Sequence, residues 1–191
     1  MILDLLRHGE TELGGGLRGS LDDALTPTGW AQMRAAVAAV PEACTWQALV
    51  SSPLQRCARF AEELGADLGL SVQLEDGVRE LHFGDWEGRS AAQIMQGEAD
   101  LLGLFWADPY ACTPPGGEPV GEFAARVQAS VQRLAQRHAG QRVLLVTHGG
   151  VMRLLLAQAR GLPREQLLQV EVGHGALKSL AVEAGRFREL T

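Results

Sequence analysis

Ile2-Leu3-Asp4-Leu5-Leu6-Arg7-His8-Gly9-Glu10-Thr11 carries a pattern that recurs near the other end of the chain, in Arg142-Val143-Leu144-Leu145-Val146-Thr147-His148-Gly149-Gly150. In each stretch a short apolar run, Ile2 to Leu6 or Val143 to Val146, reads as a buried strand, and an imidazole follows it within a turn containing glycine. Open α/β sheets bind ligands at the carboxyl ends of their strands. The two histidines are therefore expected on one functional edge of a sheet.

Outward from the first stretch, residues 12–25 contain Gly14-Gly15-Gly16 and Gly19, too many glycines for a helix, and read as a mobile loop able to close over a ligand. Thr26 as N-cap and Pro27 at the first helical position start a helix that runs to about Val40. A strand at Leu49 to Ser51 leads into Ser52-Pro53-Leu54-Gln55, which reads as a cap, a helix start and a capping-box partner, so that Arg56 falls in the first helical turn. A strand at Ser71 to Leu74 precedes an irregular segment, Gly77 to Gly88, and Ser90 with Gln93 forms a second capping-box signal. Pro109 to Pro119 is a loop. Phe123, Val127, Val131 and Leu134 then mark one face of a helix.

After the strand at 142–146, a leucine-rich helix is expected from Val151 to Arg160, ending at Gly161 before Pro163. Apolar runs at Gln169 to Val172, Leu177 to Val182 and Arg186 to Leu190 suggest strands at a sheet edge. Alternation of strands and helices predicts a three-layer α/β/α, doubly wound and mainly parallel sheet with helices on both faces. Residues 1–191 read as a single domain in which an insertion at about 77–120 covers the site.

At 191 residues, 46% hydrophobic and 21% charged, the chain can bury a full core. A net charge of −6 with scattered arginines argues against nucleic-acid binding, so an anionic ligand needs local positive charge. Cys44, Cys57 and Cys112 are odd in number and widely spaced, which suggests neither a disulfide framework nor a zinc knuckle and fits a cytoplasmic setting. No signal-peptide pattern and no apolar run of about 20 residues is present, so no membrane partner is expected. The edge strands of the tail permit a homodimer without requiring one.

Taken alone, a histidine at a strand end more often serves packing than chemistry. Arg7-His8-Gly9-Glu10-Thr11 changes that balance, because Gly9 leaves the backbone open to a ligand, Arg7 supplies charge, and a neutral imidazole nitrogen can attack phosphorus. Leu6-Arg7-His8-Gly9-Glu10-Thr11 with Thr147-His148-Gly149-Gly150 resembles the histidine phosphatase (phosphoglycerate mutase-like) superfamily. Ser51-Ser52-Pro53-Leu54-Gln55-Arg56-Cys57 is similar to that family's second arginine motif, and Arg79 to Gly88 to its acidic motif, so the resemblance spans roughly residues 1–150.

The resemblance implies a phosphohistidine mechanism in which His8 is the nucleophile and Glu80 the proton donor, while Arg7, Arg56 and His148 clamp the phosphoryl oxygens. Positioned cations suit the charge that spreads over a transferring phosphoryl group, and the helix starts near Pro53 and Gly150 would add to that field. Thr11, Gly149 and Arg18 join as candidate substrate-binding residues. Glu80 must hold a proton when it acts, which partial burial or the bound phosphate favours.

Glu87 reads as a surface loop carboxylate, His82 as a loop contact, His138 as the end of a polar helix, and His174, between two glycines, as a residue that could reach the site mouth. The histidine spacing fits no metal motif, and neither Gly14-Gly15-Gly16 nor Gly116-Gly117 sits in a nucleotide-binding context, so no metal and no cofactor is expected. Glycines where the mutase branch has an asparagine favour a phosphatase. Phe83 to Glu87, Phe105 to Pro109 and Pro114 to Glu118 look most like the α-ribazole phosphatases of cobalamin biosynthesis. Phosphoglycerate mutase, a protein phosphohistidine phosphatase and a non-catalytic phosphate-binding protein are the alternatives.

Overall fold

The computed structural model describes every residue except Glu42, Ala184 and Thr191. Its elements follow the order β1 (Ile2–Arg7), α1 (Pro27–Ala38), β2 (Ala48–Ser51), α2 (Gln55–Leu68), β3 (Val72–Leu74), α3 (Ala91–Ala107), α4 (Val120–Arg137), β4 (Arg142–Thr147), α5 (Gly149–Ala159), β5 (Leu177–Glu183) and β6 (Arg186–Leu190). Short 3₁₀ turns lie at Asp76–Val78, Gly84–Trp86 and Arg164–Gln169.

The strands form one sheet in the order β3-β2-β4-β1-β5-β6. The first four are mutually parallel, and β5 and β6 add an antiparallel edge. Parallel pairing of β1 with β4 aligns Arg7 with Thr147, which brings His8 and His148 out at the same end of adjacent strands. This is the mainly parallel, helix-covered sheet that the sequence pattern predicts.

Alternation along the strands divides the core. Leu3, Leu5, Val50, Val143 and Leu145 pack on one face with Leu102 and Phe105 of α3, Phe123 and Val127 of α4, and Val151 and Leu155 of α5. Leu6, Leu49, Leu144 and Val146 pack on the other with Met33 of α1 and Phe60 and Leu64 of α2. Burial on both faces explains why β1 and β4 are nearly continuous apolar runs. Each such side chain contributes about 1.5–3 kcal/mol relative to its exposed state. Asp4 interrupts β1, yet its buried carboxylate accepts from Arg142, Trp46 and Ser179.

Thr26 caps α1 through Gly29 N at 3.0 Å, and Ser90 and Gln93 complete the capping box of α3, as expected. Other local readings are corrected. Helix α2 starts at Gln55 rather than Pro53, and its first amide is capped by Asp22 Oδ1 at 2.6 Å, because Ser52 points instead to His148. Residues 169–172 form no strand; they leave a 3₁₀ turn, and Val172 O accepts from Arg7 instead of from a neighbouring strand. Helix α1 ends at Ala38, and α5 spans Gly149–Ala159.

The glycine-rich loop is not loose. Arg18 is paired with buried Asp23 at 2.6 Å and donates to the carbonyls of Gly14 and Gly16. Among the described residues no helix is long and apolar enough to cross a membrane.

Candidate active site

His8 leaves the end of β1 with its backbone N–H bonded to Thr147 O at 2.9 Å, so the β1–β4 ladder itself sets its position. Its Nδ1 lies 2.8 Å from Gly9 O. A carbonyl can only accept, so Nδ1 carries the proton and Nε2 keeps its lone pair. Burial, then the charge of Arg56, hold the ring down to about 3, against a backbone hydrogen bond that favours protonation. His8 is thus a neutral imidazole with a fixed tautomer and one nucleophilic nitrogen.

Gly9 serves a different purpose from the one its sequence context suggests. A Cβ there would collide with the Gly29 backbone, and one at Gly29 with Glu10 O. The two glycines let α1 pack directly on the first motif.

His148, fully buried at the end of β4, stands with its ring centroid 5.3 Å from that of His8 in an edge-on arrangement. Arg56 Nε donates to its Nδ1 at 3.3 Å, which places the proton on Nε2, donated to Ser52 Oγ at 2.7 Å. Burial, followed by the charge of Arg56, keeps this ring well below the ordinary imidazole range. Cys57 lies against the same ring at 3.7 Å, but burial pushes its thiol up, which removes it as a nucleophile.

Arg56 is itself fully buried, and its other nitrogens donate to Leu21 O at 2.6 Å and Gly19 O at 2.8 Å. One guanidinium thereby ties the glycine-rich loop to the imidazole pair. Arg7 donates through Nη1 to Val172 O at 2.6 Å, and its buried Nε has no hydrogen-bond partner. Leaving a buried charged donor unpaired is costly unless a ligand satisfies it. That N–H is a donor available to an oxyanion.

Glu80 approaches from the segment after β3. Its carboxylate accepts from Leu81 N at 3.0 Å and from Gly150 N at 3.0 Å, at the N-terminus of α5. A Cβ on Gly150 would collide with Glu80 Oε1, and one on Gly149 would crowd Arg7 and Arg153. The Gly149-Gly150 pair therefore admits the acid and the arginine to one helix start. Both helix N-termini already spend an amide on a carboxylate, Gln55 N on Asp22 and Gly150 N on Glu80, so they act through their dipoles.

The structure brings His8, His148, Arg7, Arg56, Glu80 and Gly149 together. Arg18 lies one step back, hydrogen-bonded to Asp23, where it sets the loop, and Thr11 is buried beside the same carboxylate. Glu87 corrects its reading as a plain surface carboxylate: it accepts from Ser20 N and Leu21 N at 2.8 Å and from Phe83 N at 3.1 Å, stitching the glycine-rich loop to the Glu80 segment. His82 contacts Glu87, and His138 ends α4 with its ring on Gln141, as read from the sequence.

Three contributors escaped sequence reasoning. Ser52 reads as a helix cap, Asp23 lies in no motif, and Arg153 sits one turn into α5, near enough to Arg7 to weaken its hold on its proton. Position four residues after Gly149 was the available signal for Arg153.

The loop at 109–119 packs on the turn after Glu80, with Asp85 N on Pro115 O at 2.8 Å and Glu118 N on His82 O at 2.9 Å. Two spaces meet at Glu80. A crevice of about 60 Å³ is lined by Phe83, Phe105, Pro109, Phe123 and Leu168, and a cavity of about 400 Å³ by Ser20, Arg79, His82, Glu118 and Arg126.

Comparison with known proteins identifies the family. The family described as "Histidine phosphatase superfamily (branch 1)" matches residues 3–191. The adenosylcobalamin/alpha-ribazole phosphatase of Escherichia coli is 30% identical over 184 residues, 95% of this chain and 90% of that protein. The glucosyl-3-phosphoglycerate phosphatase of Mycobacterium tuberculosis is 37% identical over 175 residues, 84% of this chain and 76% of that protein. The crystal structure of the alpha-ribazole phosphatase from Shigella flexneri superposes with a TM-score of 0.86 at 28% identity, covering 100% of this chain and 95% of that one. The chain spans only 43% of the length of mycobacterial relatives to which it is 35% identical over 157 residues, one of them named a bifunctional protein. From motifs, geometry and these matches together, the chain belongs to the histidine phosphatase superfamily.

Proposed function

We propose that the protein is a metal-independent phosphomonoesterase that works through a phosphohistidine on His8, with α-ribazole 5′-phosphate as its preferred ester. The observation that carries this reading is the free Nε2 of a neutral, tautomer-locked His8 beside the unpaired Nε–H of Arg7.

In the first step Nε2 attacks phosphorus, the P–O bond to the leaving group breaks, and Glu80, in its protonated form, gives its proton to the departing oxygen. Arg7 and Arg56 hold the non-bridging oxygens as charge redistributes, and His148 joins them when its Nε2–H turns from Ser52 Oγ to the phosphoryl group. In the second step Glu80, now a carboxylate, takes a proton from water as that water attacks phosphorus. The N–P bond breaks, inorganic phosphate leaves, and His8 returns to its neutral form.

The α-ribazole assignment draws on the Escherichia coli and Shigella flexneri relatives and on the cavity of about 400 Å³ next to Glu80, which has room for a nucleoside-sized leaving group. Glucosyl-3-phosphoglycerate is the second reading, supported by the 37% identical relative. Phosphate release should proceed in excess chelator and disappear with His8→Ala. A panel of α-ribazole 5′-phosphate, glucosyl-3-phosphoglycerate and a phosphohistidine peptide, with 3-phosphoglycerate interconversion as the mutase test, ranks the substrates. The highest kcat/KM on glucosyl-3-phosphoglycerate would overturn the substrate assignment, and turnover surviving in His8→Ala would overturn the mechanism.

A further inference from the structure

His174 has no part in the mechanism above, yet its ring centroid lies 5.8 Å from that of His8. It is exposed, whereas His8 and His148 are buried, so it stands at the rim of the same pocket.

The backbone that carries it is fixed to the first motif. Arg7 Nη1 donates to Val172 O at 2.6 Å, Arg7 N to Ala176 O at 2.9 Å, and Gly175 N to His8 O at 3.4 Å. Gly175 adopts φ +68°, and a Cβ there would press on the Gln32 backbone, so this turn requires glycine and packs on α1. The segment brings a third imidazole next to His8, and among the described residues that ring makes no hydrogen bond to protein.

The charged groups around it are Arg7, Arg18 and Glu10, with His8 beside it. Burial and the arginines lower its proton affinity in the free protein, and Glu10 opposes them. A dianion bound against Arg7 would reverse that balance, because it adds negative charge next to the ring.

We propose that His174 is a further anion-contacting residue, which binds the outer face of the phosphoryl group from the pocket rim and takes up a proton as the dianion arrives. The proposal rests on the phosphate-site reading above. A protonated ring donates a charge-assisted hydrogen bond, so affinity is greatest at low pH and falls as pH rises through the ring's titration in the complex. Because His174 is exposed, its replacement leaves the core intact.

The test uses sulfate, which stays a dianion from pH 5.5 to 8.5, so any change of affinity with pH belongs to the protein. Calorimetric binding of sulfate to the native protein should weaken by about tenfold across that range, a size expected for one hydrogen bond to a charged group. His174→Asn should bind about tenfold more weakly at pH 6, converge with the native protein at pH 8.5, and take up less proton on binding when two buffers of different ionisation enthalpy are compared. With a phosphomonoester the variant should raise KM and change kcat by less than about threefold. Superimposable sulfate affinities and proton uptake in the two proteins would overturn the proposal. Turnover of the native protein scores the phosphatase reading separately, since the sulfate comparison needs no catalysis.

Discussion

Around His8 the groups of the site hang from strand ends and lie buried, whereas around Glu80 the walls come from the turns at 77–88, the loop at 109–119 and the glycine-rich loop. At the first end, the β1–β4 register fixes two imidazoles before any side-chain contact is counted. At the second, position depends on single side chains: Glu87 joins two loops, Arg126 holds the carbonyls of Gly77, Arg79 and Glu80, and Gly150 makes room for Glu80. A rigid sheet edge sets the imidazole pair, whereas loop segments held by a few bonds wall the space at Glu80.

Substitutions at the two ends should differ in size and kind. The largest effect belongs to His8: His8→Asn should lower kcat/KM by at least about 10⁴-fold on every ester, since a nucleophile has no substitute. Next comes Glu80→Gln, with a loss of about 10²- to 10⁴-fold on an alkyl phosphate. That loss should shrink with p-nitrophenyl phosphate, whose leaving group needs no proton. Equal losses on both esters would remove Glu80 from the acid role. Arg56→Lys should cost about 10²- to 10³-fold in kcat, because lysine cannot hold His148, Gly19 O and Leu21 O in one plane.

Smaller effects separate the two ends in stability. His8 titrates near 3 when folded and near its ordinary 6.5 when unfolded, so the unfolded chain binds a proton that the folded site refuses. Stability should therefore fall as pH drops from 6.5 toward 3, by roughly 5 kcal/mol at the acid end from this group alone. Urea unfolding at pH 7.5 and pH 5 should show the native protein losing more stability than His8→Asn. Glu87→Gln, at the loop end, should cost about 1–3 kcal/mol and raise KM more than it lowers kcat. An unchanged melt and KM would show that the loop does not need its tie.

The same division governs what the sequence discloses. Strand patterning and the two Arg-His and Thr-His turns expose the sheet, its helix cover and the imidazole pair, because local periodicity determines them. Contacts that depend on which element arrives from a distance leave no local mark. Ser52 reads as a helix cap until His148 is brought 2.7 Å from it, and Asp22, more than thirty residues upstream, supplies the cap instead. Glu87 reads as a loop carboxylate until the glycine-rich loop folds onto it. Gly9 suggests ligand approach, yet its space is filled by Gly29 of α1. Residues 169–172 have a strand's composition but meet no free sheet edge, because β5 already occupies that side of β1.

Transfer through His8 requires a bond from phosphorus to one nitrogen. Rapid quenching of the protein with ³²P-labelled α-ribazole 5′-phosphate, followed by peptide mapping under alkaline conditions, tests it most directly. The account predicts a burst of acid-labile, alkali-stable label on the peptide bearing His8, absent from His8→Asn and prolonged when Glu80→Gln slows its hydrolysis. Turnover without any such label, or label carried by His148 or His174 instead, would contradict it.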